Sequence, residues 1–307
     1  MASRDPGFGD LLRPDPSVAL APPAIDPIIP GPAHRAQFVV ELIGPRSVPA
    51  AQIAPLIQPQ WYEALGRPEL YCMSPADTCW QPLNPRIDGS YDSVAAAWDV
   101  LSPRGTLSSG SASQLLQSCE QFARAVNRRA MGLPEPGDID RVAKALLQVR
   151  DQLDVGVSIA IFPTAGRIPE RDLWIACAAL GLQFSPDGAF VWKSPQHPNP
   201  LFSATPIGDA EAFSLGAVQA GTDHEGVTIG FNVPLCPNPM AAFDGAVRAA
   251  EYIARQIGGA AFDDSARPLS AKVRDALRRD LADGVVMLEK ATLRPGSASA
   301  IKVFGAS

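Results

Sequence analysis

Asp223, His224 and Glu225 stand side by side ahead of an apolar stretch, and these three side-chain types are the raw material of a metal site or an acid–base pair. Consecutive residues of an extended segment point in different directions, however, so they do not converge on one ion. The spacing favours a polar, solvated turn. Asp263-Asp264 offers a paired carboxylate, yet apart from Arg267 no basic partner stands at fixed spacing. Local hydrogen bonding, or an N-cap for the helix that follows, accounts for it better. Ser108-Ser-Gly-Ser-Ala-Ser113 lacks the Gly-x-Ser-x-Gly elbow of a nucleophile and suits a helix entry. No Gly-x-Gly-x-x-Gly or Walker pattern is present. The other histidines, His34 and His197, lie in Pro-rich or Pro-flanked stretches. The expectation is no catalytic residue, no metal, no cofactor and no enzyme.

The five cysteines (Cys72, Cys79, Cys119, Cys177 and Cys236) form no Cys-x-x-Cys pair. Cys119 and Cys177 fall on apolar helix faces, and the scatter fits a reduced, cytoplasmic setting. Cys72 and Cys79 could lie near each other across a hairpin. Trp98 and Trp174 belong with core positions, whereas Trp80 and Trp192 sit on hairpin strands, open to a binding role. A net charge of −6 argues against a nucleic-acid partner, which calls for a basic face. No apolar run approaches the ~20 residues that span a bilayer. No signal peptide is visible either. Any membrane anchor lies outside this sequence, and the segment itself makes no membrane contact.

The elements that must position any site come from periodicity. The 307 residues, 46% hydrophobic, suffice for two ordinary domains with their own cores. Residues 1–35 are Pro-rich and read as a semi-extended linker or tail, with Leu11, Leu12, Ile28 and Ile29 too sparse for a core. Phe38–Ile43 reads as a strand, Val48–Leu65 as a helical stretch weakened by Pro55 and Pro59, and Leu70–Met73 with Cys79–Leu83 as a hairpin. Val94–Val100 is the next strand. Leu115, Cys119, Phe122 and Val126 mark one helix, and Ile139 to Leu153 another.

The same order then recurs. Val157–Phe162 reads as a strand, Pro169 as a helix start, Ala189–Lys193 and Leu201–Ser203 as strands, and Val227–Val233 as another. Met240 to Ile257 forms a long helix stopped by Gly258-Gly259, and Val273, Leu277 and Leu281 mark the last one. Val94-Ala-Ala-Ala-Trp-Asp-Val100 and Val227-Thr-Ile-Gly-Phe-Asn-Val233 share an outline. The pattern predicts an α+β protein of two tandem modules, each a mostly antiparallel sheet with its helices on one face. The other face is then free, and apolar residues on it would make a docking surface. Loops or the other module could instead cover it.

Several segments in order carry a resemblance: Pro200-Leu-Phe-Ser203, Phe213, Gly226-Val-Thr-Ile-Gly-Phe-Asn-Val-Pro234, and Ile257-Gly-Gly-Ala-Ala-Phe-Asp-Asp264 before Leu269-Ser270. From about Val155 to Ala291 the sequence resembles the C-terminal FtsZ-binding domain family of the bacterial cell-division protein ZipA. Arg294-Pro-Gly-Ser with Ile301-Lys-Val-Phe304 is similar to the ending of beta-proteobacterial forms. The first module resembles the family through the internal repeat alone.

The resemblance implies a non-enzymatic adaptor that binds the C-terminal tail of FtsZ on the free sheet face. It would help tether the Z ring at the cytoplasmic face of the inner membrane, at the division site. Carried over by motif, the cleft positions are Val157, Ile159, Thr205, Ile207, Thr228 and Gly230. The family's aromatic at the last position is Gly230 here, and its cleft lysine aligns with Asp209. Alternation places Val157, Ile159 and Ile161 opposite Ser158, Ala160 and Phe162, and the bulk of Phe162 suits the helix side.

The expected organisation is residues 1–35 as linker, 36–154 as a divergent first ZipA-like module, 155–292 as the FtsZ-binding domain, and 293–307 as a tail. Ile301–Phe304 is expected in that tail as a short strand, able to join a sheet edge. The rival reading is a structural protein whose modules pack together and bind some partner other than FtsZ. An enzyme built on Asp223-His224-Glu225 is the third.

Overall fold

The computed structural model describes residues 13–45, 47–53, 66–76, 78–83, 89–210 and 212–305. It divides into two compact units, Ile28–Gln152 with Ser297–Ser307, and Met1–Pro27 with Leu153–Gly296.

In the first unit the strands of the main sheet are β1 (Gln37–Ile43), β2 (Glu69–Met73), β3 (Gln81–Pro82), β4 (Ser93–Asp99) and β5 (Arg129–Leu133). They lie in the order β3-β2-β4-β1-β5, with every neighbour antiparallel. Helix α1 (Ser109–Ala125) starts where the Ser108 side chain accepts a hydrogen bond from the Ser111 N–H. It buries Ala112, Leu115, Cys119 and Ala123 along one stripe. α2 (Ile139–Leu153) follows. A Cβ on Gly132 would come within 3.1 Å of the Phe38 ring and 3.5 Å of Leu116, so Phe38 and its cross-strand partner Trp98 are on the side of α1. Of the helical stretch expected over Val48–Leu65, the structure gives a two-residue strand and a helix at Ala50–Ile53. The rest, with Pro55 and Pro59, lies outside the described residues.

In the second unit the principal elements are β6 (Gly156–Pro163), α3 (Glu170–Ala179), β7 (Gln183–Phe184), β8 (Phe190–Trp192), β9 (Phe202–Ile207), β10 (Gly226–Asn232), α4 (Pro239–Gln256), β11 (Gly259–Asp263) and α5 (Ala271–Lys290). The sheet order is β7-β8-β9-β10-β6-β11, again antiparallel throughout. The helices cover one face. A Cβ on Gly245 of α4 would sit 2.4 Å from the Trp192 ring, so the absence of a side chain there lets the helix lie flat on the sheet. Trp192, Phe202, Ala204, Ile229, Ile159 and Ile161 are 0–2% exposed beneath it. Each large member contributes about 1.5–3 kcal/mol by leaving water.

Both sheets place three long strands side by side, β4-β1-β5 in one and β10-β6-β11 in the other. In each unit the long helix leads into the edge strand of that trio, and a second helix follows. The hairpins differ. In the first unit inner strand β2 precedes outer strand β3, whereas in the second outer strand β8 precedes inner strand β9. The edge strands β5 and β11 are absent from the sequence reading, because Ala130, Gly132 and Gly259-Ala-Ala261 offer little apolar alternation.

Two terminal segments correct that reading. The Pro-rich lead is not a loose tail where it is described: the Leu20 N–H donates to the Leu180 carbonyl at 2.9 Å, and the Trp192 indole N–H donates to the Leu20 carbonyl. Trp192 is therefore a core residue rather than an exposed binding aromatic. Ile301–Phe304 is not a strand but part of helix α6 (Ala298–Phe304). The Ser297 side chain caps it by accepting from the Ala300 N–H at 3.2 Å, which outweighs the strand preference of its β-branched residues.

Candidate functional site: a bare sheet face

The face of the second sheet turned away from α4 is built by alternation. On β9 the buried Phe202, Ala204 and Pro206 leave Ser203, Thr205 and Ile207 on the other side, each partly exposed. Register carries the same face onto β10, where Ser203 lies opposite Gly230, Thr205 opposite Thr228 and Ile207 opposite Gly226. It continues onto β6, where Gly230 meets Ser158 and Thr228 meets Ala160, and onto β11, where Ala160 meets Phe262.

Of the six residues expected to line a cleft, four do share this face: Thr205, Ile207, Thr228 and Gly230. Ile159 does not. It is 0% exposed on the α4 side, next to Ile229, and Val157 alternates with it on that side. The outward positions on β6 are Ser158, Ala160 and Phe162, one residue out of phase with the expectation. Phe162, expected against the helices, is 37% exposed.

The reason lies opposite it. A Cβ on Gly226 would come 3.0 Å from Phe162 Cδ1 and 2.5 Å from the Ile161 carbonyl, so the bare glycine is what the ring lies over. Phe262 stands 6.1 Å from the same ring, centre to centre. The result is an apolar strip of Ile207, Phe162 and Phe262 around a floor of Ala160, Thr205 and Thr228. At one margin Asp209 pairs with Arg167 at 3.6 Å, so a cation stands beside the carboxylate.

The chemistry of this face is that of contact. The polar atoms its floor offers are the hydroxyls of Ser158, Ser203, Thr205 and Thr228, with no acid–base pair among these positions. Among the described residues no three His, Cys, Asp or Glu side chains are grouped so as to hold a metal ion.

His224, expected in a solvated turn, is instead 1% exposed. Its Nε2 meets Glu170 Oε2 at 2.9 Å, while Glu170 Oε1 accepts from Trp174 Nε1 at 3.0 Å and from the Ser214 N–H at 2.7 Å. That fully partnered carboxylate pins α3 to the bridge that Ile168–Pro169 makes with Asp223–His224. Asp263, by contrast, is bound locally: its carboxylate accepts from Arg267 Nε and from the Arg267 N–H, each at 2.7 Å. Burial pushes its pKa up, but these bonds and the Arg267 charge outweigh it and hold the carboxyl below its ordinary value. The N-cap of α5 is Ser270.

Burial pushes Cys119, Cys177 and Cys236 up to about 12.

Sequence reasoning missed Ser158, Ala160, Phe162 and Phe262. A Gly at 226 facing a Phe at 162 was the available sign, and it is readable once the strands are paired.

Residues 156–280 match the family model described as ZipA, C-terminal FtsZ-binding domain. The matched stretch begins at β6, takes in every strand of the bare face and ends inside α5. It describes a family of binding domains, and its description names FtsZ as the protein bound. No curated protein matches the chain.

Proposed function

We propose, from a chain whose residues 156–280 belong to the ZipA C-terminal FtsZ-binding domain family, that it is a cell-division adaptor reading the C-terminal tail of FtsZ on this bare face. The observation that carries the reading is the strip of Ile207, Phe162 and Phe262 over Ala160, Thr205 and Thr228, left uncovered within the matched segment. Contact of this kind, without a reactive set, suits a binding domain rather than turnover. A short apolar peptide docked there binds at roughly micromolar strength, on the order of −8 kcal/mol.

Binding the tail would help hold the Z ring at the inner membrane. No helix among the described residues is long and apolar enough to cross a membrane. The first module enters this proposal as a second copy of the same fold that acts as a support, on the strength of the matched strand trio.

The test is a titration of an FtsZ C-terminal tail peptide into the full chain, with Ile207→Lys and Ala160→Lys as site variants. Micromolar binding that falls at least tenfold in both is expected. No binding at millimolar peptide would sink the function, and unchanged binding in both variants would sink the site.

A further inference from the structure

The first sheet also has a face turned away from its helix α1, and that face is filled. Val39, Ala95 and Ala97 form its floor at 0–1% exposure, with Tyr71 and Trp80 packed against them. Beside the floor, two carboxylates converge. Gln37 Nε2 donates to both Glu69 and Asp99 at 2.9 Å, and the Tyr71 hydroxyl donates to Glu69 at 2.8 Å. Their cation comes from α6: Lys302 Nζ bonds Glu69 and lies 3.3 Å from Asp99.

We propose that this face is a second docking site, for a short helix with one apolar side and one basic residue, and that α6 fills it in cis. Three features converge on it. The floor residues Ala95 and Ala97 stand in the strand whose outline β10 repeats, at the places of Thr228 and Gly230, so both sheets offer a shallow floor of small side chains. The paired carboxylates are held by neutral donors and select a cation. The helix itself has seven residues and buries Ala300, Val303 and Phe304.

A helix that short does not persist alone in water, so its order comes from docking. Its release would be a local opening that leaves each sheet intact. The chain segment before it, as far as Gly296, belongs to the other unit, so α6 joins the first sheet from the far end of the sequence. This inference goes beyond the FtsZ reading and stands whether or not that reading holds.

The test uses a fluorescein-labelled synthetic peptide of residues 296–307, followed by anisotropy. It is titrated into the full wild-type chain and into the full chain carrying Lys302→Glu, which places a third carboxylate in the latch. Binding to the variant at least tenfold tighter than to wild type is expected, with faster amide exchange at residues 298–304. A peptide that itself carries Lys302→Glu should not bind. Equal binding to both chains, or none to a variant whose α6 amides have become exposed, overturns the proposal. Amides that stay protected in the variant overturn it as well, because the base then selects nothing. If near-UV circular dichroism shows Lys302→Glu to be unfolded, Lys302→Ala takes its place in the same titration, with binding about fivefold tighter than to wild type expected and equal binding overturning the proposal.

Discussion

The two sheets differ most on the faces that carry no long helix. In the first, Val39, Ala95 and Ala97 are 0–1% exposed with Tyr71 and Trp80 packed against them, and Lys302 bonds Glu69 and Asp99 beside them. In the second, the corresponding face leaves Phe162 at 37% exposed and Ser203, Thr205, Ile207 and Thr228 half-buried. Strand order alone does not decide which face is open. The first sheet carries Glu69 and Asp99 where a base can be recruited, and the second carries small neutral residues and an aromatic pair. One arrangement draws in a cation from its own chain, and the other leaves its residues partly exposed among the described residues.

The strongest break in this contrast is to move a charge by one residue on β6. Ile159→Lys puts an ammonium under α4 and should cost about 3–5 kcal/mol of stability in urea unfolding. Ala160→Lys, facing outward, should cost less than about 1 kcal/mol and act instead on tail binding. A stable Ile159→Lys chain with weakened binding, next to a silent Ala160→Lys, would mean the faces are assigned backwards.

Next in size is the buried pair. Glu170→Ala leaves His224, the Trp174 indole and the Ser214 N–H without their acceptor, and should cost about 3–5 kcal/mol. Lys302→Ala removes a cation 23% exposed from a carboxylate 43% exposed and, after allowance for solvent screening, should cost about 1 kcal/mol. Calorimetry of both variants ranks them, and a reversed order would undo the view of the latch as the weaker tie.

The latch also has a pH signature. For Glu69, burial pushes the pKa up, but the bonds from Lys302, Gln37 and Tyr71 prevail and hold it below its ordinary 4.5. Its contribution is present above 4.5 and is lost as pH falls through the lower folded value. For Lys302, burial pulls the pKa down, yet Glu69 and Asp99 together raise it above 10.5. That contribution is complete below 10.5 and fades as pH climbs through the higher folded value. The stability gap between wild type and Lys302→Ala should therefore be level from about pH 5 to 10 and close in strong acid, as thermal melts across pH would register.

The smallest effect is expected from Thr205→Val, which keeps the shape of the floor and removes a hydroxyl. Tail binding should change less than threefold if the strip reads apolar surface. A tenfold loss would show that the hydroxyl is read instead.

Much of this fold was legible because its elements are locally marked. Ser108, Pro169 and the Gly258-Gly259 pair bracket their helices as their chemistry demands, and the long strands alternate clearly. The phase of β6 was not legible. Val157-Ser-Ile-Ala-Ile-Phe162 has apolar residues on both alternating sets, and what settles it is Ile229 and Ala204, far away in sequence and packed beneath α4. His224 misled for a similar reason, since its neighbours are polar while its partner Glu170 is 54 residues away. Of the candidate site, the β9 and β10 positions Thr205, Ile207, Thr228 and Gly230, carried over by motif, fall together on one sheet face, whereas Val157 and Ile159 fall on the other.

The assignment of Leu20 to the second unit and of α6 to the first has a consequence for biosynthesis. The two units are interleaved along the chain, each taking an early or a late segment from beyond the other. A ribosome completes Gln152 and then makes about 145 more residues before α6 emerges, a delay of about 7 to 30 s at ordinary elongation rates. During that interval the carboxylates of Glu69 and Asp99 stand without the Lys302 ammonium, open to a basic segment of whatever chaperone or neighbouring nascent chain is at hand.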